Sequence, residues 1–368
     1  MARAPSESDV PVASPEPRGD DRAYLNFVLG LRTHWARRLY PALEQEYDAR
    51  VRPEAARPRS AEEAAPFVEA LPLYPWFGWV ERNAQKMMWR RLERVVRDEG
   101  DAPVRALNRP LERPLGRLEL DPDLELPSYY ADTEFHIQPG GVWSGDHNAF
   151  VYEVGARIVM LGENDEYLFH RLFVDTAVPR RDYRAILDLG CGFGKSTRPF
   201  ADALPEAEVT GIDLSGPNLK LAHHQAEQRG KRITFSQRNA EATGYPDGSF
   251  DLVTGTMLIH ELPMPIVRRV IGEAHRLLRP GGVLAFLDFH RTGDAFRDFM
   301  MVGHGARNNE PYMPHLFRTD VVGLCRAAGF QSAQLLPFDE RGAGLLADGC
   351  WPYRSEWHFP WVVVRAER

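Results

Sequence analysis

Residues Ile186 to Gly194 read Ile-Leu-Asp-Leu-Gly-Cys-Gly-Phe-Gly: an apolar run that contains an acid, then three alternating glycines. The apolar run predicts a strand, and the pattern after Gly194 predicts a helix. Glycine lets the backbone pass close to a ligand and adopt dihedrals barred to other residues. Strand, glycine turn and helix in that order form a cradle for a ligand that contains a nucleotide. A dinucleotide would place its pyrophosphate on the helix N-terminus. Asp188, just ahead of the turn, would repel phosphate; it suits a cationic amino group instead. Two further groups carry chemistry. Thr256-Met257-Leu258-Ile259-His260-Glu261-Leu262-Pro263 and Asp288-Phe289-His290-Arg291 each follow an apolar run. His260 and His290 are candidate general bases, because neutral imidazole accepts a proton near pH 7. His260 packed beneath a ligand or capping a helix, and His290 as a surface histidine, are the alternatives. Asp288, a candidate substrate contact, and His290, two apart, would share one face of a strand. Glu261 would bind a substrate or orient His260, unless it is a solvated charge at a helix start.

The stretch 186–194 resembles motif I of class I S-adenosylmethionine (SAM)-dependent methyltransferases, which makes SAM the expected cofactor. The resemblance continues in order. Gly211-Ile212-Asp213-Leu214-Ser215 stands where that family places an acid that accepts hydrogen bonds from the ribose hydroxyls, a task a carboxylate suits. Asn239-Ala240-Glu241 stands where it places groups around adenine, with Asn where many relatives carry Asp. Pro246–Val253 and Leu277–Leu284 resemble the approaches to its fourth and fifth strands. The cofactor set implied is Asp188, Gly190, Cys191, Gly192 and Gly194 with Asp213, Leu214, Asn239, Ala240, Glu241 and Thr256. The flavour is that of the ubiquinone, menaquinone, sterol and tocopherol methyltransferases. In the sterol and tocopherol branch paired tyrosines ahead of motif I help cover the cofactor, and Tyr129-Tyr130 look like that element. A lid suits a reactive sulfonium by keeping water out. His136 and Trp143, in the same aromatic and glycine-containing stretch, are candidate substrate contacts. So are His304 and Tyr312, in the insertion near 290–320 from which this fold often draws its pocket.

These residues need a parallel sheet to gather them. Strand candidates are Ile186–Leu189, Val209–Ile212, Ile233–Phe235, Leu252–Val253, Val283–Leu287, Ala333–Leu336 and Trp357–Val364, with helices near 194–204, 215–229, 263–279 and 321–328. Alternating strands and helices predict a Rossmann-like, doubly wound α/β fold with a mostly parallel seven-stranded sheet. Ligands then bind beyond the carboxyl ends of the strands. Ahead of that domain (183–368) three regions are expected: a Pro-rich disordered tail (1–20), an N-terminal helical region (21–127) and a lid or connecting segment (128–182). Helices are predicted from Asp21 to about Glu46 and from about Gly78 to Arg97, separated by a helix-breaking run at 71–77. Five prolines between 100 and 127 predict an irregular connection.

Bulk properties narrow the class. The chain has 368 residues, is 43% hydrophobic and 26% charged, and carries a net charge of −7. Those values exclude wholesale disorder, and the charge argues against a nucleic-acid partner. Arg90, Arg91, Arg94 and Arg97 spread around a helix and read as solvated. Three scattered cysteines predict neither a disulfide framework nor a zinc site, and no metal is expected. No apolar run reaches the roughly 18 residues needed to cross a bilayer, and a cytoplasmic location is expected. The expected reaction is methyl transfer from SAM to O, N, C or S of a small, partly apolar molecule such as a secondary metabolite, a quinone-like or a lipid-like compound. Non-methylating SAM chemistry and non-catalytic SAM binding are the alternatives. The N-terminal helices would roof the pocket or form a homodimer interface.

Overall fold

The computed structural model describes residues 12, 14–51, 57–164, 167–346 and 348–368. Of the expected tail, residues 1–11 and 13 lie outside the described residues. Val12 does not behave as tail: it is 5% exposed, and Gln228 donates a hydrogen bond to its carbonyl at 2.9 Å. One apolar residue docks here, a signal that averaging over a Pro-rich run hides.

The N-terminal region is helical. α1 (Gly19–His34) continues through a π turn (Trp35–Leu39) into α2 (Tyr40–Arg50). α3 (Ala61–Glu69) starts at Ser60, whose Oγ accepts from the Glu63 N–H at 3.2 Å, satisfying one of the free N–H groups of a helix start. α4 (Leu73–Asp98) begins five residues before the expected Gly78. Pro75 lies in its first turn, where a missing N–H breaks no helical bond. The expected breaker is therefore a helix start. α5 (Ala102–Leu107) and a three-residue strand, β1 (Arg117–Glu119), interrupt the Pro-rich connection. α6 (Ser128–Ala131), α7 (Asp146–Val159) and α8 (Leu168–Ala177) lead into the sheet domain.

There the strands are β2 (Ala185–Leu189), β3 (Glu208–Asp213), β4 (Ile233–Gln237), β5 (Phe250–Thr256), β6 (Leu278–Phe289), β7 (Ser332–Asp339), β8 (Gly344–Leu345) and β9 (Trp361–Glu367). The helices among them are α9 (Arg198–Ala203), α10 (Gly216–Gln228), α11 (Met264–Leu277), α12 (Ala295–Arg307), α13 (Met313–Phe317) and α14 (Val321–Ala327). The sheet has nine strands in the order β1-β4-β3-β2-β5-β6-β9-β7-β8, not seven. The additions, β1 and β8, are edge strands too short to show an alternating pattern. β1 to β6 run parallel, and β9 lies antiparallel between β6 and β7. β9 starts four residues later than expected because Pro360 precedes it, and proline cannot donate to a ladder. The order in which strands are added reverses between β2 and β5, first outward through β3 and β4 and then the other way through β6, and a crevice opens beyond their carboxyl ends.

α1, α4 and α7 form a roof with its own core of Val28, Met88, Trp89, Leu92 and Phe150. Trp89 is 1% exposed. It reaches the α7 backbone only because residue 155 is glycine: a Cβ there would lie 2.1 Å from the indole ring. Truncating such a buried tryptophan costs about 3–5 kcal/mol, so the Trp89–Gly155 contact is a main tie between α4 and α7.

Candidate active site

The glycine turn after β2 has the geometry its composition predicts. Gly190, Gly192 and Gly194 hold φ of +66°, +51° and +77°, the left-handed region that favours glycine. Cys191 N–H donates to the Ile212 carbonyl at 3.0 Å, tying the turn to β3. Asp213, at the end of β3, accepts from Gly192 N–H and Ser215 N–H, each at 2.8 Å. Burial raises its pKa to about 6 against those hydrogen bonds. Asp188 is fully buried behind the turn. One of its oxygens accepts from Ser196 Oγ and Thr197 Oγ1 at 2.6 Å each; the other has no partner. Burial raises this carboxyl to about 6 as well.

A cleft of about 1600 Å³, open mouth included, lies over this turn. Gly190, Cys191, Gly192, Asp213, Leu214, Asn239, Ala240, Thr256, Tyr129 and Tyr130 line it. Asp188 and Gly194 do not: Asp188 braces the loop through Ser196 and Thr197, and Gly194 packs on Ala222 and Phe235. Glu241 also stands off the wall. It accepts from the Tyr129 hydroxyl at 2.8 Å and pairs with Arg269 at 2.6 Å, fastening α6 to the segment after β4. Burial, then the Asp213 charge, push the Tyr130 hydroxyl well above its ordinary pKa, so it is a neutral donor.

The other half of the cleft is built from side chains. His260 sits in a short 3₁₀ turn (Ile259–Glu261) after β5. Its Nδ1 lies 2.6 Å from Asp288 Oδ1 on the neighbouring strand β6. Asp288 also accepts from the N–H groups of Ile259 at 2.8 Å and Phe289 at 2.7 Å, so the carboxylate is clamped and in turn clamps the imidazole. Burial works against the charged ring, but the Asp288 charge and hydrogen bond outweigh it and lift the His260 pKa to about 9. Asp288 thus acts through His260 and does not line the cleft. His290 is not its companion. β6 ends at Phe289, alternation lapses there, and His290 turns away to the Thr319 carbonyl at 3.2 Å, beside Phe317.

His136, at φ +57°, stands between two acids, with Nε2 2.9 Å from Glu261 and Nδ1 3.1 Å from Glu310. Burial opposes its charge, yet the two carboxylates raise its pKa to about 10. Glu261 is therefore a paired wall residue and not a solvated helix-start charge. His304 meets Glu81 of α4, and Glu81 also binds Arg307 and Asn308. His136, Glu261, His260 and His304 all line the cleft. Trp143 and Tyr312 do not; their rings pack on Tyr130 and Phe135. Arg32, Gln85, Tyr152, Met160, Phe359 and Trp361 are among the further wall residues that sequence reasoning did not single out. Glu81 and Gln85 had a signal: they interrupt the buried stripe Phe77, Ala84, Met88, Leu92 of α4. Among the described residues no three His, Cys, Asp or Glu cluster as a metal site, and no helix is long and apolar enough to cross a membrane.

With that geometry in hand, the relatives are informative. Residues 186–282 match the family described as the methyltransferase domain. An uncharacterized methyltransferase of Synechocystis sp. is 31% identical over 189 residues, covering 51% of this chain and 85% of the relative. The demethylmenaquinone methyltransferase of Thermus thermophilus is 34% identical over 138 residues, covering 38% of this chain and 60% of that protein. Phosphoethanolamine N-methyltransferase 2 of Haemonchus contortus, solved with phosphomonomethylethanolamine and S-adenosylhomocysteine, superposes with a TM-score of 0.43 at 17% identity, over 59% of this chain and 47% of that one. The chain belongs to the SAM-dependent methyltransferases. Its cofactor is SAM, and the cradle fits it: a buried, unpartnered Asp188 oxygen behind the loop, a Gly190 whose added Cβ would meet Leu258 at 2.8 Å, and an acid at the end of β3.

Proposed function

We propose that this enzyme methylates an ionisable hydroxyl on a small, partly apolar molecule, with His260 as the base. The observation that carries the reading is the His260–Asp288 pair: a buried imidazole on the cleft wall, held through Nδ1, with Nε2 free of any closer acid than Glu261 at 3.9 Å. A relative named a ubiquinone biosynthesis O-methyltransferase and a relative named for 27-O-demethylrifamycin SV favour an oxygen acceptor.

When bound, SAM supplies an electrophilic methyl carbon on a sulfonium. Asp213 would hold the ribose hydroxyls, Asn239 and Ala240 would flank the base, and the Gly190–Gly192 backbone would run along the methionine portion. Asp188 and Ser196 keep that backbone in place. Tyr129 and Tyr130, latched through Glu241, keep water from the reacting centre. His260 Nε2 would take the acceptor proton as the acceptor oxygen bonds to the methyl carbon and the carbon–sulfur bond breaks to release S-adenosylhomocysteine, and Asp288 would stabilise the imidazolium that forms. Aligning the two reactants supplies much of the remaining acceleration. The helical region 21–127 and the segment 128–182 act as roof and lid over the pocket.

The test is transfer of isotope-labelled methyl groups from SAM into a metabolite extract and a panel of phenols and hydroquinones, read by mass spectrometry. We expect a product heavier by one labelled methyl group in place of a hydrogen, and its formation needs His260 and Asp213. A labelled amine or thiol product formed equally well by His260→Ala would overturn the hydroxyl reading.

A further inference from the structure

Arg32 lies in the last turn of α1, 7% exposed, on the wall of the cleft. Its Nη1 donates to the neutral Gln85 amide. Its Nε is buried with no hydrogen-bond partner. Glu81 is the acid whose field reaches it, but that carboxylate is taken up by His304 and Arg307. Burial lowers the Arg32 pKa only to about 10, so the guanidinium is charged at neutral pH. A buried charge without a counter-ion is strongly disfavoured, and proteins avoid it unless a partner neutralises it. Among the described residues no carboxylate pairs with it, although the partly buried Arg307 is paired with Glu81. Arg32 also stands where the cleft meets a smaller cavity; Val159, Met160, His304, Phe359 and Trp361 line both, and Glu163, Glu340 and Arg341 line the smaller one. A cation with an open donor thus faces a partly apolar wall.

We propose that Arg32 is the specificity-determining residue of the acceptor site, and that the acceptor is an apolar molecule bearing one carboxylate, which Arg32 binds. This rests on reading the His136–His260 half of the cleft as the acceptor pocket. Guanidinium geometry suits a planar carboxylate. Glu310 lines the same wall with one buried oxygen unpartnered, and its repulsion grows with the charge of the ligand, so it disfavours a dianion such as a phosphate ester more than a monocarboxylate.

The experiment measures binding to the full chain saturated with S-adenosylhomocysteine, by calorimetry or ligand-observed NMR. The probes are 2-naphthoate, 2-naphthamide and 2-naphthyl phosphate. We expect naphthoate to bind about tenfold or more tightly than the amide or the phosphate, the size of one charge-assisted contact. Arg32→Leu should abolish that preference, and Arg32→Lys should keep part of it. Affinity for S-adenosylhomocysteine should stay within about twofold in both variants. The proposal fails if naphthoate binds no better than the amide, if neither binds, or if Arg32→Leu keeps the preference. It also fails if Arg32→Leu weakens S-adenosylhomocysteine instead, which would assign Arg32 to the cofactor's own carboxylate. Should Arg32→Leu not fold, Arg32→Gln is read by the same criteria. Because no turnover is measured, an enzyme that methylates none of the hydroxyl panel yet prefers naphthoate would sink the hydroxyl reading and leave this one standing.

Discussion

The two halves of the cleft are made in different ways. The cofactor half is mostly backbone: left-handed glycines after β2, amide groups of Gly192 and Ser215 on Asp213, and residues drawn from one run between β2 and β5. The acceptor half is mostly side chain. Arg32, Gln85, His136, His260, His304 and Phe359 come from six separated segments and are aligned by charge pairs that cross between elements. A ligand shared by a whole family suits a rigid, local cradle. A ligand particular to one enzyme suits a wall assembled by tertiary contacts, where one substitution changes chemistry without disturbing the cradle.

If that division is real, damage to one half should spare the other. The largest effect is expected from His260→Ala: kcat should fall by about 10²–10⁴-fold, while S-adenosylhomocysteine affinity, read by calorimetry, stays within about twofold. A comparable loss of cofactor affinity would erase the boundary. The converse change is Asp213→Ala, which removes a carboxylate that organises the glycine turn. Cofactor affinity should drop by about 100-fold, with the His260 titration unmoved. That titration is a third handle. Below a pKa of about 9 His260 is protonated and cannot accept a proton, so the rate should climb by about tenfold per pH unit from 7 and level off near 9. Asp288→Asn deletes the charge that raises the pKa most, ahead of Glu261 and Glu310, and leaves the burial that lowers it. Its ascending limb should move to lower pH, with a lower plateau. A profile flat between pH 7 and 9 in the parent enzyme would remove His260 from proton transfer. The smallest effect is expected where the halves meet: Tyr129→Phe loses one hydrogen bond to Glu241 and should raise the KM for SAM by about fivefold.

The same division explains what could be read in advance. Asp188, Gly190, Gly192 and Asp213 are legible because a glycine turn between strand and helix is a local feature with a local cause. The parallel order and the helices from 198 to 277 follow from short-range periodicity. His260 was identifiable by its place at the end of β5. Its partner was misassigned, since Asp288 reaches across to β5 instead of sharing a face with His290, and a pairing between strands has no signature in one segment. Arg32 was invisible for a related reason: on a helix wheel it is one more arginine. What hinted at burial was its spacing, four after Val28 and three before Trp35, both buried. β1 and β8 escaped because two or three residues hold no period.

The π turn at Trp35–Leu39 separates two duties of one continuous rod. Upstream, α1 presents Arg32 to the cleft; downstream, α2 sends Tyr40, Leu43 and Tyr47 into the large core. A π turn accommodates one residue more than an α-helix of the same rise. Deleting a residue there would restore regular winding and swing one face by about 100° relative to the other. The rod could then seat its anchor or aim its guanidinium, but not both. The surplus residue works as a phase shifter: sequence change can slide the anchoring end and the sensing end independently only while it is kept.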